Sequence, residues 1–231
     1  MNKKIILTIF FNTFKWSPDR LTEPWIQNRL NLFFKYTLPS LKAQTFQDFI
    51  TYVYCDVESM DIIEKQLAMR EPLPDNIHFL DTNTIKERIK SDIQGYDLLY
   101  LVRIDSDNMY QKDYLETIYE YTPKPETEAL ITQYGYMFDD ITKKLVPYYM
   151  ESPSFYTFIY NVDDFSKNIR YKVPGGHAYV ISTLKCELIP GQNYLISVHD
   201  DNVKFKSWRL NNLKEVTNPT EVFHEFGVEE L

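Results

Sequence analysis

A chain of 231 residues with 44% hydrophobic and 25% charged content carries enough apolar material for one full-sized core without covalent staples. Its net charge of −8 argues against a broad cationic grip on a nucleic-acid backbone. Two cysteines, Cys55 and Cys186, make neither a disulfide framework nor a Cys-x-x-Cys zinc ribbon, and fit a reducing compartment.

The start, Met1-Asn2-Lys3-Lys4 followed by Ile5 to Phe11, imitates the basic and apolar parts of a signal peptide. The run is short, contains Thr8, and meets Asn12 and Lys15 with no small-x-small site, so it reads as a buried first strand over 4–11. No stretch approaches the ~20 apolar residues of a bilayer span. The expectation is a soluble, cytoplasmic protein.

Glu23-Pro24 opens a periodic stretch with Trp25, Leu30, Phe33, Phe34, Leu38 and Leu41, a helix over about 24–43 that Pro39 should kink or split. Phe49 to Cys55 is a second strand ending at Asp56. A helix over 59–69 follows, closed by Glu71-Pro72-Leu73-Pro74. Ile77 to Leu80 is a third strand, and a polar helix over 83–93 leads to a fourth, Tyr96 to Ile104, which runs into Asp105-Ser106-Asp107. This β-α-β-α-β-α-β order predicts an α/β fold with a Rossmann-like, mostly parallel central sheet and flanking helices. Ligands of such sheets bind beyond the carboxyl ends of the strands, where Asn12, Asp56 and Asp105 fall.

The second half changes character. After a helix over 111–121, Thr122-Pro123-Lys124-Pro125 breaks the chain. Short strands are predicted at 129–132 and 134–138, with Asp139-Asp140 as a turn toward Leu145-Val146-Pro147. Helical periodicity is scarce from 125 to 200. The whole, 1–231, reads as one unit: a nucleotide-type half over 1–108 and a mixed, loop-rich half over 109–231.

The strongest chemical signal is Arg103-Ile104-Asp105-Ser106-Asp107-Asn108. Two carboxylates at i and i+2 where a buried strand ends can serve one hard divalent cation, Mg²⁺ or Mn²⁺, whose other positions a phosphate fills. Asp-Ser-Asp-Asn is also ordinary turn chemistry. Missing are G-x-x-x-x-G-K, G-x-G-x-x-G and G-x-S-x-G strings, which disfavours P-loop kinases, dinucleotide oxidoreductases and serine hydrolases. A haloacid-dehalogenase-type phosphotransferase also uses D-x-D, but there the motif follows the first strand of the core.

A D-x-D closing a strand after a Rossmann-like first half resembles the GT-A fold of nucleotide-sugar glycosyltransferases. Further strings resemble a bacterial family labelled rhamnosyltransferase: Phe10-Phe11-Asn12, Leu38-Pro39-Ser40-Leu41 with Gln44-Thr45, Asp56, Arg103 to Asp107, Ser152-Pro153-Ser154-Phe155, His199 to Asn202, and Phe226-Gly227. Asn108 stands where that family commonly has Asp.

The resemblance implies a metal-dependent hexosyltransferase using a nucleoside-diphosphate sugar and a glycan, lipid-linked sugar or protein hydroxyl. Asp105 and Asp107 would hold Mn²⁺ or Mg²⁺ against the donor diphosphate, with His199 as a further ligand. Phe10, Phe11, Asn12, Asp56, Arg103 and Ser106 would border the donor, and Arg103 is equally readable as a structural ion-pair partner. Asp200 or Asp201 would be the general base; both are equally readable as a helix N-cap. His224 competes with His199 for the ligand role, and either can be a packing residue. His177, after Gly175-Gly176, would stand on the acceptor side, although Pro-Gly-Gly is also a plain turn.

The aromatic content, 16%, has two expected destinations. Before residue 125 it follows helix and strand patterns and reads as core. Tyr148, Tyr149, Phe155, Tyr156, Phe158 and Tyr160 form a candidate sugar-facing wall. A binding module on the same fold, without turnover, is the rival class.

Overall fold

In the computed structural model, residues 1–14, 17–199, 210, 213–229 and 231 are described. β1 (Lys3–Phe10), β2 (Phe49–Cys55), β3 (Ile77–Asp81) and β4 (Leu98–Arg103) are parallel neighbours in the order β3-β2-β1-β4. Their apolar, β-branched composition suits strands covered on both faces. Alternation divides β1: Ile5, Leu7 and Ile9 enter the larger core, while Ile6 joins a second cluster with Ile85 and Ile89 of α4 (Thr82–Asp92).

Strand order reverses at β1, which has β2 on one side and β4 on the other. A crevice beyond the carboxyl ends belongs at such a reversal. The rest of the chain extends the sheet and adds another. β6 (Ala129–Ile131), β9 (Tyr156–Asn161) and β10 (Cys186–Leu188) complete a seven-stranded sheet, with β9 antiparallel between β4 and β6. β5 (Asn108–Tyr110), β7 (Tyr134–Asp139), β8 (Lys144–Tyr149) and β11 (Gln192–Val198) form a four-stranded sheet in the order β5-β11-β7-β8.

The long helix expected over 24–43 is three pieces: α1 (Glu23–Leu32), a π turn (Phe33–Thr37) and α2 (Leu38–Lys42). Pro39 explains the division. It lacks an N–H and its ring crowds the carbonyl four residues back, so the preceding turn widens, and Leu38 N–H donates to Phe33 O. Pro39 then stands in the first turn of α2, where it is tolerated.

One further expectation is corrected. The aromatic stretch after residue 148 is not one sugar-facing wall. It crosses from β8 to β9, where Tyr156, Phe158 and Tyr160 share one face and are buried or half-buried. Phe155 is fully buried against Tyr194, and Tyr160 is buried in the second cluster, whereas Tyr149 is exposed. The segment after Gly176 is a helical turn at His177–Tyr179 leading into α7 (Val180–Thr183).

Among the described residues no helix is long and apolar enough to cross a membrane. The C-terminal helix α8 (Pro219–Glu225) ends in a Schellman-type cap, with Gly227 N–H donating to His224 O and Val228 N–H to Phe223 O. Gly227 has φ +77°, and a Cβ there would lie 2.1 Å from Ala43 Cβ at the end of α2.

Gly227→Ala is therefore expected to cost about 2 kcal/mol or more, combining left-handed strain with the contact at Ala43. Gly95→Ala, at φ +83° but with nothing within 4 Å, isolates the strain and should cost about 1 kcal/mol. Urea unfolding of both variants checks the difference; equal losses would remove the α8–α2 contact from the account.

Candidate functional site

The motif sits where β4 ends and the chain crosses to the second sheet. Ile104 is fully buried, and its N–H donates to Thr8 O of β1, so the parallel pairing is carried one step past β4. A turn follows, closed by Asn108 N–H donating to Asp105 O at 3.3 Å. The turn separates the two carboxylates. Asp105 accepts from Arg103 Nη2 at 3.1 Å and keeps a third of its side chain exposed (35%). Asp107 turns inward to 9% exposure and is met by Arg29 Nη1 at 3.1 Å and His199 Nε2 at 3.2 Å, both on Oδ2. The guanidinium of Arg29 also donates to Ser106 Oγ at 2.7 Å and lies over the Trp25 ring.

His199 reaches Asp107 because β5 and β11 pair antiparallel, with Asn108 opposite Ile196. Ser197 N–H donates to Asn108 Oδ1 at 3.1 Å, and Ser197 Oγ donates to Asp107 O. His199 follows the end of β11 directly. Asn108 thus serves the joint between sheets, through an oxygen that an Asp would equally supply. On its other side Thr37, in the π turn, donates to Asn108 O at 2.9 Å.

Burial opposes the charged form of Asp107, but Arg29 beside it and the His199 contact outweigh burial and hold its carboxyl at about 2. Arg103 lies between the rings of Phe10 and Tyr156, 5.7 and 5.9 Å from its guanidinium. Burial works against its charge, yet Asp105 and the Tyr156 hydroxyl raise its pKa further.

The other residues named from sequence divide. Asp56 pairs with Arg20 at 2.8 Å and lines a cleft of about 230 Å³ with Thr13, Asp81, Thr82 and Asn83 at the ends of β2 and β3. Asn12 is buried beneath it: Oδ1 accepts Asp56 N–H at 2.8 Å and Nδ2 donates to Ser59 Oγ at 2.8 Å. Asn12 therefore shapes the cleft from below. Phe11 does not border it; its ring packs edge-on against Trp25 and Phe79 in the core. Phe10 lies on the sheet's other face, in a second cleft of about 120 Å³ with Tyr54, Arg103, Tyr156 and Phe158. Tyr156, expected from sequence in a sugar-facing wall on the acceptor side, is beside Arg103, its hydroxyl 3.5 Å from Nη1.

His177 belongs to the turn after Gly176, where its carbonyl accepts from Ser152 Oγ at 2.6 Å. Of the competing histidines, His199 is the one brought to Asp107, and His224 is exposed on α8. Asp200 and Asp201 lie outside the described residues.

Sequence reasoning missed Arg29 and Arg20. Arg29 carried a readable signal: Ile26, Leu30 and Phe33, at i−3, i+1 and i+4, are apolar and buried, so the helix presents this cation toward the interior. Arg20 sits in the loop before α1, where no period applies.

Asp107 Oδ2 and His199 Nε2 form an oxygen and imidazole-nitrogen pair whose chemistry fits Mn²⁺ better than the all-oxygen preference of Mg²⁺, with phosphate and water completing the shell. Among the described residues no three Asp, Glu, His or Cys side chains gather into a ready cluster.

A reversing α/β sheet with an acidic motif closing its fourth strand puts that motif where ligands of such sheets bind. Over residues 17–203 the chain matches the family described as "Putative rhamnosyl transferase", and it belongs to that family, in the glycosyltransferase class. No curated protein matches it. Among solved structures it is similar to residues 1–349 of Staphylococcus aureus TarS in complex with UDP-GlcNAc, at 14% identity and TM-score 0.48, covering 97% of this chain and 64% of that one. It is also similar to a cytidylyltransferase from Leptospira borgpetersenii, at 12% identity and TM-score 0.42, covering 84% and 77%. HddC from Yersinia pseudotuberculosis matches at 14% identity and TM-score 0.41, covering 84% and 92%. The chain spans about three fifths of the TarS fragment in another of its crystal structures (60%).

The Arg29 ion pair and the His199 contact at Asp107 give a pH signature. A carboxyl held at about 2 in the folded protein and near 4 unfolded contributes stability that is full above about pH 4 and is lost as pH falls through about 2. Asp107→Asn should therefore flatten the stability profile between about pH 4 and 2, by roughly 2 kcal/mol relative to the native chain. Urea titrations across that interval measure it, and parallel profiles would contradict the assignment.

Proposed function

We propose that the protein is a metal-dependent glycosyltransferase that moves a hexosyl group from a nucleoside-diphosphate sugar to a hydroxyl of a glycan, lipid-linked sugar or protein. The observation that carries this reading is the meeting of Asp107 and His199 beside the reversal of the parallel sheet, in a chain of this family. The family description makes a rhamnosyl nucleotide the first donor to test.

In this reading the base and ribose occupy the cleft at the ends of β2 and β3, with Asp56 held toward them by Arg20 and by the Asn12 contact to its backbone. The diphosphate lies over the end of β4, where Arg103 supplies a fixed positive charge. Asp107 and His199 would hold Mn²⁺ or Mg²⁺, with Asp105 reaching it through water. Bound there, the ion would offset negative charge growing on the leaving diphosphate. Asp200 or Asp201, which follow His199 in sequence, would take the acceptor hydroxyl's proton.

Incubation with a panel of uridine and thymidine diphosphate sugars plus Mn²⁺ should give slow donor hydrolysis. Asp105→Ala should lower turnover by about 100-fold or more and weaken Mn²⁺-dependent nucleotide binding, with circular dichroism unchanged. Unaltered turnover in that variant would overturn the metal assignment. Nucleotide binding without turnover across the panel would instead indicate a binding module.

A further inference from the structure

We propose that Arg29 is an internal cation that competes with a divalent ion for the Asp107 carboxylate. The inference rests on the metal reading above, but concerns a residue that reading does not use. Arg29 and His199 approach the same oxygen, Oδ2, at 3.1 and 3.2 Å. An ion shared between Asp107 and His199 would need the space beside that oxygen, and the guanidinium stands there. Two cations cannot share one carboxylate oxygen in a buried site without strong mutual repulsion, because little water is present to screen them.

Arg29 is also built to leave. Among the described residues its anchors beyond Asp107 are a neutral hydroxyl, Ser106 Oγ at 2.7 Å, and the Trp25 ring at 5.9 Å. Its Nε is buried with no hydrogen-bond partner among the described residues. Displacement therefore gives up one charged contact, and the side chain keeps its root on α1 beside Ser106. A released guanidinium there offers a planar fork of donors, suited to phosphate oxygens, at the mouth of the proposed diphosphate site. Arg29 would thus be a positioning residue: it keeps Asp107 inward and is exchanged for the ion.

The test is Mn²⁺ affinity, read from the electron paramagnetic resonance signal of free Mn²⁺, with and without uridine diphosphate. Arg29→Met should bind Mn²⁺ about tenfold more tightly than the native chain, the order expected on removing one partly buried competing charge. Arg29→Gln, which can keep the Ser106 bond, should move affinity in the same direction, and Arg29→Lys, which keeps the charge, should stay within about threefold of native. Tighter binding on removal of an arginine is not an outcome that local unfolding produces. Unchanged or weaker binding in both neutral variants would overturn the competition while leaving the metal reading intact. Failure of every form, native included, to bind Mn²⁺ even with nucleotide would overturn both.

Discussion

A carboxylate taken out of water must find charged or hydrogen-bonding partners, and that constraint on Asp107 organises the site. Its side chain is nearly enclosed, so an unpaired charge would be too costly. The partners come from opposite parts of the chain: Arg29 from α1, packed on the parallel sheet, and His199 from the end of β11 in the other sheet. Pairing one carboxylate with both fixes how the halves meet. The desolvation of each ion offsets much of the attraction, so breaking the pair on one side costs more than the pair adds over an apolar replacement.

The meeting is enforced by backbone as well as charge. β5 has only three residues, yet it starts one residue after Asp107 and sets the register of β11. A slip of one residue along that ladder would point His199 away from the motif, because side chains alternate between faces. Asn108 and Ser197 oppose such a slip through two bonds outside the ordinary ladder, Ser197 N–H to Asn108 Oδ1 and Ser197 Oγ to Asp107 O. The π turn adds a third restraint through Thr37. The widening that Pro39 imposes on the helix is thus used where the hydroxyl meets the motif's backbone.

The parallel half was legible because its rules are local. Apolar runs bounded by turn residues located β2 over its full extent and β1, β3 and β4 to within two residues. The D-x-D string fell at a strand end, as expected. The second half was less legible because its pairings are distant: nothing local in Tyr156–Asn161 says that it lies antiparallel between β4 and β6. Phe11 was misread for a related reason. Proximity to a strand end does not say which face a ring takes, and period two sends Phe11 with Ile9 into the core while Phe10 faces the other side. The divergence of Asp105 and Asp107 depends on a turn whose outcome is set by Arg103 and Arg29, seventy-eight residues apart in the case of Arg29 and Asp107.

The aromatic surplus has its clearest physical explanation at the same joint. Tyr110 stacks on Tyr114 with centroids 4.1 Å apart, and Phe155 stacks on Tyr194 at 4.2 Å. An edge contact at 5.5 Å between Tyr110 and Phe155 joins the two stacks into a ladder linking β5, the helix α5 (Tyr114–Glu120) and β11. Aliphatic side chains could fill that volume, but they could not also satisfy backbone carbonyls left over where one sheet passes into the other. Tyr110 does so at the motif itself, its hydroxyl donating to Arg103 O at 2.6 Å, and Tyr194 adds a second bond at Gln133 O, which also accepts Met150 N–H. Rings with few rotatable bonds lose little entropy when ordered, so they suit a junction that must hold a carboxylate, an arginine and a histidine in one arrangement. Of these rings Phe155 alone was read from sequence as part of a sugar-facing wall; it belongs instead to the rigid support beneath the site.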